Sequence, residues 1–440
     1  MSATKANQKV VYGGSKPNKT IRLDLVRNLV FQGGSVKGLS YVGALAALEK
    51  CYTLSNKPFH QNIKNVAGTS AGAITAVGLA MGYTIPELVD IMANTDFKEF
   101  LNEPKSKIKS NFPQLDPPWK VQKEKLFNME NESKASQSQV VAAIVYELNS
   151  KFGLCSGEPV LDWLEGLIRD KTDEPYLTFG ELHDLATKAG AKATKKSNGN
   201  ESCYRDLFVV GFNLSTMSTQ VFSYEDTPDA IISDAVRISM SIPILFLPHY
   251  HYIKSSAGER VKKNEDLWID GGLTDNFPVR IFDRNEFNVG TLGFYLVSSE
   301  EKALFEEGHE RHGPTCPTRR DIKTGIDYLK ALFEAVVSAQ QASTHLQSRD
   351  PERTIYIDNM NISALNFGLS MEEKQSLVNS GWSAVMSRMG KSDLPCEVTV
   401  PTPEGSNLET SASSTNDASS KNDEEKDGDI NAAKNSCVVV

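Results

Sequence analysis

The segment Val66-Ala67-Gly68-Thr69-Ser70-Ala71-Gly72 leaves this chain little choice of local structure. Apolar residues lead into it, small residues fill it, and a helix-forming run over 71–81 follows. A buried strand turning at once into a helix is what such a run dictates. Glycines two places either side of a serine let the backbone bend tightly and leave the hydroxyl at a helix N-terminus. There the dipole and free amides favour developing negative charge. Ser70 is therefore a candidate nucleophile, and Gly68 and Gly72 are the residues that permit the bend.

The same strand-then-helix rhythm recurs along the chain. Residues 25–31 read as a first strand, followed by the turn Gln32-Gly33-Gly34-Ser35 and a helix over 37–50. Further strands are expected at 65–67, 207–213, 220–224, 267–270 and 292–297. Helical patterns fall at 87–100, 138–150, 159–169, 229–240, 321–348 and 372–389. Strands alternating with helices argue for an α/β fold on a mostly parallel sheet.

Residues 1–24 read as a flexible arm and 25–391 as the folded domain. Within it, 101–137 is rich in Lys, Asn, Ser and Pro and reads as an insertion or cap. Residues 392–440 read as a disordered acidic tail, too poor in apolar residues to offset its ordering entropy. Positions 401–440 hold eight Asp/Glu against three Lys, so -5 of the net -9 sits there. With no basic stripe, nucleic-acid binding is not expected. The six cysteines are scattered without close pairs, which indicates neither a disulfide framework nor a zinc site and fits a reducing compartment. The N-terminal residues lack an apolar h-region, so no secretory signal is expected. No run of apolar residues is long enough to predict a membrane span.

Two more motifs bear on chemistry. The turn Gly33-Gly34-Ser35-Val36-Lys37-Gly38 lies between strand and helix, so its amides suit an oxyanion, and Lys37 adds a nearby positive charge. Walker spacing is not met, and alone the turn fits a purely structural role equally well. In Trp268-Ile269-Asp270-Gly271-Gly272 an acid ends an apolar strand. Such an aspartate is more often a turn-former than a base when it occurs alone. Beside Ser70 it would be partly desolvated and a better base than a free carboxylate.

Taken in order, Gly33–Gly38, Gly68–Gly72 and Asp270–Gly272 resemble the motifs of patatin-like phospholipases. So do the stretches 234–243 and 275–279, and the run from Ser370 to Trp382. The resemblance covers about residues 25–390. It implies a patatin-like three-layer fold with a central, mostly parallel sheet flanked by helices. It also implies a Ser/Asp dyad, with Ser70 as nucleophile and Asp270 as base. The amides of Gly33, Gly34, Ser35 and Ala71 would form the oxyanion hole, supported by Lys37, Gly38, Gly68, Gly72, Gly271 and Gly272. The family usually has a third glycine where this chain has Ser35, and a positive φ there would strain a serine. The implied activity is acyl-ester hydrolysis of phospholipids or lysophospholipids, without metal or cofactor.

A Ser–His–Asp esterase is the rival enzyme, with His309, His312 and His345 in the right order after Asp270. A non-catalytic lipid-binding module is the rival from another class. His249 and His251 read as structural or substrate-lining. The expected partners are a phospholipid membrane surface and a protein activator docking on 101–137. The C-terminal Cys437-Val438-Val439-Val440 matches a prenylation pattern, which adds a host prenyltransferase acting on Cys437. That reading places the chain at membranes of a eukaryotic cytosol, native or as the destination of a bacterial effector.

Overall fold

The structure, a computed structural model, describes residues 21–101, 151–188, 203–299, 302, 349–363 and 366–401. The expected cap at 101–137 beyond Leu101, the helices at 138–150 and 321–348, His309, His312, His345 and Cys437 lie outside them.

The strands in chain order are β1 (Asn28–Phe31), β2 (Asn65–Gly68), β3 (Gly153–Cys155), β4 (Asp206–Asn213), β5 (Ser218–Phe222) and β6 (Ile244–Phe246). They continue with β7 (Tyr252–Lys254), β8 (Arg260–Lys262), β9 (Trp268–Asp270), β10 (Thr291–Val297) and β11 (Thr354–Asp358). Seven form one sheet in the order β11-β10-β1-β2-β4-β5, with β9 also on β4. From β11 to β4 every pairing is parallel, while β5 and β9 run antiparallel to β4. β3 pairs with β6 and β7 with β8 outside this sheet. The chain therefore has an α/β fold on a mostly parallel mixed sheet flanked by helices.

Strand alternation sorts the core into two faces. Leu29, Phe31, Val66, Leu207, Val209, Leu292, Phe294, Ile355 and Ile357 belong to the larger cluster. Val30, Ala67, Phe208, Tyr295, Val297 and Tyr356 meet Phe277 and Val279 in the smaller one. The helices are α1 (Ser40–Leu54), α2 (Phe59–Asn62), α3 (Ala71–Ala80), α4 (Ile85–Asn94), α5 (Glu158–Thr172), α6 (Phe179–Lys188), α7 (Ile232–Ser239) and α8 (Met371–Arg388). α3 is buried at every position, which suits an apolar helix covered on all sides.

Two helices meet at backbone distance. A Cβ on Gly43 of α1 would land on the Val378 carbonyl of α8, and one on Gly381 of α8 would land on the Ser40 carbonyl of α1. Only glycine permits that approach.

Several boundaries differ from expectation. The helix expected over 87–100 ends at Asn94, because Thr95 is extended (ψ 122), and a 3-10 turn spans Phe97–Leu101. The packed chain also runs past 391. Trp382 Nε1 donates to the Leu394 carbonyl (3.2 Å), Lys50 pairs with Glu397 (2.8 Å), and Val400 is buried.

Candidate active site

β4 brings the serine and the aspartate together through its register. Along one edge it pairs with β5 over 209–213. β2 and β9 must therefore share its other edge, with Gly68 opposite Val209 and Asp270 opposite Gly211. Two residues of strand span about 7 Å, so the end of β2 and the end of β9 face each other across that gap. Ser70 lies just past β2 on the near side of that gap, close enough for its hydroxyl to favour the charged form of the Asp270 carboxyl.

The bend at Ser70 has the geometry expected from its neighbours. Ser70 sits at φ 53, ψ -125, an unusual conformation for a residue with a Cβ. The turn can be this tight because Gly68 and Gly72 lie against each other, where a Cβ on Gly68 would strike the Gly72 backbone. A Cβ on Gly72 would strike the Phe31 carbonyl. The strained turn is held from outside as well. The Ser70 amide donates to Ser239 Oγ at the end of α7 (2.9 Å), and Thr69 Oγ1 donates to the Asp275 carbonyl (2.9 Å).

Asp270 is 2% exposed and Ser70 6%, so bulk water is excluded from both. Burial pushes the Asp270 carboxyl up to about 7, although the Gly272 amide and the Ser70 hydroxyl both favour its charged form. The Gly272 amide donates to Asp270 Oδ1 (2.6 Å), and the Asp270 amide donates to the Ser241 carbonyl (3.0 Å). Gly271 sits against the Val210 carbonyl, with no room for a side chain. Nearby, burial also raises Asp275, to about 6.

The glycine turn lies over the serine. A Cβ on Gly33 would meet Asn276 and Ser70 Cβ, and one on Gly38 would meet Ala71 Cβ. Ser35 adopts φ 52, the strained conformation a third glycine would have taken freely. One expectation is corrected here. The Gly33 amide donates to the Asn276 carbonyl (2.9 Å), so it is committed and cannot also hold an oxyanion. Asn276 Nδ2 returns a bond to the Gly33 carbonyl (3.1 Å), locking the two loops together. The amides of Gly34, Ser35 and Ala71 have no such bond among the described residues. Lys37 is half-buried on the 3-10 turn Ser35–Leu39.

Ser35, Ser70 and Ala71 line a cavity of about 30 Å³ whose other walls are Val36, Ile74, Met92, Phe97, Phe100, Met240, Ile242, Phe246 and Phe367. Apart from the serines the wall is apolar. A larger groove of about 750 Å³ lies between α1, α4 and residues 397–401, away from Ser70 and Asp270. The chemistry therefore points to the smaller space.

Histidines are elsewhere among the described residues. His249 Nε2 meets Asp234 Oδ1 (2.6 Å), and His251 packs edge-on to Phe222 and Trp268. Arg237, fully buried, donates to the carbonyls of Ser156, Gly157 and Leu247 and to Ser241 Oγ. It thereby fixes the loop that supplies the Asp270 amide with its acceptor. Ser239, Asn276 and Arg237 are supports that motif spacing does not single out as site residues.

Known proteins give the context. The chain is 27% identical to an uncharacterized protein of Acanthamoeba polyphaga mimivirus, over 85% of this chain and 97% of that protein. It is 26% identical to YqhO of Bacillus subtilis over 80% of this chain and 94% of that protein. A probable lipid hydrolase of Invertebrate iridescent virus 6 is 26% identical over 58% of this chain and 62% of its own length. Among solved structures, VipD from Legionella pneumophila aligns with 83% of this chain and 67% of its own, at 18% identity and TM-score 0.44. ExoU aligns with 84% of this chain and 54% of its own, at 17% identity and TM-score 0.35. The patatin-like phospholipase family model matches residues 29–283, more than half of the sequence. The chain therefore belongs to the patatin-like phospholipase family and is a lipid acyl hydrolase.

Proposed function

We propose that the protein is a phospholipase A or lysophospholipase working through a Ser70–Asp270 dyad. The observation that carries this is that the register of β4 brings buried Ser70 beside a carboxyl that burial has pushed up to about 7. A base with an acidity near the working pH is well matched to taking a proton and giving it back.

Asp270 removes the Ser70 proton as Oγ attacks the ester carbonyl, and the carbonyl π electrons move to oxygen. The amides of Gly34, Ser35 and Ala71 hold that oxyanion. As the tetrahedral species collapses, the Asp270 proton passes to the departing alcohol and leaves an acyl-Ser70. Water then attacks, giving its proton to Asp270, which returns it to Ser70 Oγ as the fatty acid leaves. The apolar lining around Ser70 favours hydrocarbon over a charged head group beside the nucleophile.

Fatty-acid release from mixed phospholipid vesicles, with and without eukaryotic cytosol, tests this. Ser70→Ala and Asp270→Asn should each lower release by about 10³-fold or more. Wild-type release should rise as pH climbs through about 7, where Asp270 becomes charged. Activity surviving Asp270→Asn would overturn the dyad in favour of a histidine. Vesicle binding with no serine-dependent turnover would indicate a binding module.

A further inference from the structure

Among the described residues, nine non-glycine residues hold positive φ, and three of them are large, apolar and exposed. They are Phe152 (φ 66), Met217 (φ 55) and Met360 (φ 54). Met217 is 72% exposed and Met360 46%. Two costs coincide at each position. Left-handed backbone disfavours a residue with a Cβ, and an exposed thioether chain gains nothing from burial. Asparagine or glycine would occupy these turns with less strain, as Asn56 does elsewhere and Asn361 does next to Met360.

The sheet register places both methionines on the side of the molecule where Ser70 lies. Met217 belongs to the turn between β4 and β5. Its neighbour pair Asn213–Ser218 lies four residues beyond the Val209–Gly68 pair, about 13 Å further along the strand direction. Met360 follows β11, whose Asp358 pairs with Val297, three residues beyond the level of Phe31 and Gly68, or about 10 Å. In strand order β11 lies three strands to one side of β2, and the β4–β5 turn lies on the other side. The two tips thus straddle Ser70 and overtop it. Neither the stretch 214–219 nor 359–363 contains a charged residue, and the whole chain carries -9. Apolar tips that carry no cation have nothing to attract an anionic surface, so they suit a neutral one.

We infer that the Met217 and Met360 turns are the surface by which this protein docks on a zwitterionic phospholipid bilayer, with Ser70 held between them. The inference rests on the reading of the Ser70 site as a lipid-ester hydrolase. It adds which face meets the lipid and what kind of lipid that is.

The test compares the wild type, the double variant Met217→Asn/Met360→Asn, and Val289→Asn. Val289, at 59%, lies between the two methionines in exposure but precedes β10, at the opposite end of the strands. Each is floated with pure phosphatidylcholine vesicles, and with vesicles containing phosphatidylserine, at low and high salt. Each is also assayed on those vesicles and on monomeric p-nitrophenyl butyrate. The double variant should float about tenfold less and lose vesicle hydrolysis in proportion. Its butyrate hydrolysis should stay within about twofold of wild type and its Tm should hold or rise, because asparagine accepts the left-handed turn. Val289→Asn should match wild type, and salt should have little effect.

Flotation unchanged in the double variant would overturn the proposal, as would a wild type that fails to float. Binding that requires phosphatidylserine and vanishes in salt would also overturn it. So would loss of self-association in place of vesicle binding, which would mark a contact between copies. A wild type inactive on both substrates whose flotation still depends on the methionines would reject the hydrolase reading and leave the docking surface standing.

Discussion

Asp234 and Asp270 are both buried, one on α7 and one at the end of β9, yet their carboxyls move in opposite directions. Burial raises both. Around Asp270 the answering groups are neutral, the Gly272 amide and the Ser70 hydroxyl, so burial wins and the carboxyl reaches about 7. Around Asp234 they are the Arg260 guanidinium (2.8 Å from Nε) and His249, and together these outweigh burial and lower it. The Arg260 guanidinium also stacks 3.7 Å from the Tyr252 ring centroid within the β7–β8 hairpin, and its pair with Asp234 ties that hairpin to α7. A cation partner turns a buried carboxylate into a structural tie. Neutral donors leave it able to exchange a proton at ordinary pH.

Breaking the tie should have the largest effect. Asp234→Asn leaves Arg260 and His249 without their carboxylate and should cost about 3–5 kcal/mol in urea unfolding. Asp270→Asn should do the reverse at neutral pH. The wild-type carboxyl ionises near 3.8 when unfolded and near 7 when folded. Folded, it holds its proton to a higher pH, so its contribution is complete below 3.8 and is lost as pH rises through about 7, by about 4 kcal/mol. The asparagine variant should lack that slope in unfolding measured from pH 4 to 8. Asp234, lowered in the folded state, should show the opposite sign, with stability present above 3.8 and lost as pH falls further.

Smaller changes sharpen the comparison on the Ser70 side. Ser239→Ala orphans the buried Ser70 amide and should cost about 1–2 kcal/mol, with hydrolysis of a soluble ester falling about tenfold. Ser35→Gly should raise stability by about 0.5–1 kcal/mol in thermal unfolding, because φ 52 costs glycine nothing. It keeps the amide, so activity should stay within about threefold.

How much of this was legible in the sequence follows from how local each signal is. The bend at Gly68–Gly72 was legible because sterics between near neighbours dictate it. Asp270 before two glycines was visible as a turn, but its meeting with Ser70 depends on β4 serving two strands along one edge. Ser239 and Asn276 fall in stretches that resemble the family, but nothing local says what they bond. Their bonds to Ser70 and Gly33 span 169 and 243 residues. Three-residue strands such as β3, β6, β7 and β8 are too short for alternation to register. The commitment of the Gly33 amide is likewise non-local, because its acceptor is the Asn276 carbonyl.

The glycine crossing of α1 and α8 has a consequence in time. The first helix of the domain has its backbone-contact partner only once Gly381 has been synthesised, long after Ser70 and Asp270 have both left the ribosome. A nascent chain therefore holds both reactive residues before it can close the layer behind them. For an enzyme that degrades lipids, such late closure would withhold activity until Gly381 has emerged.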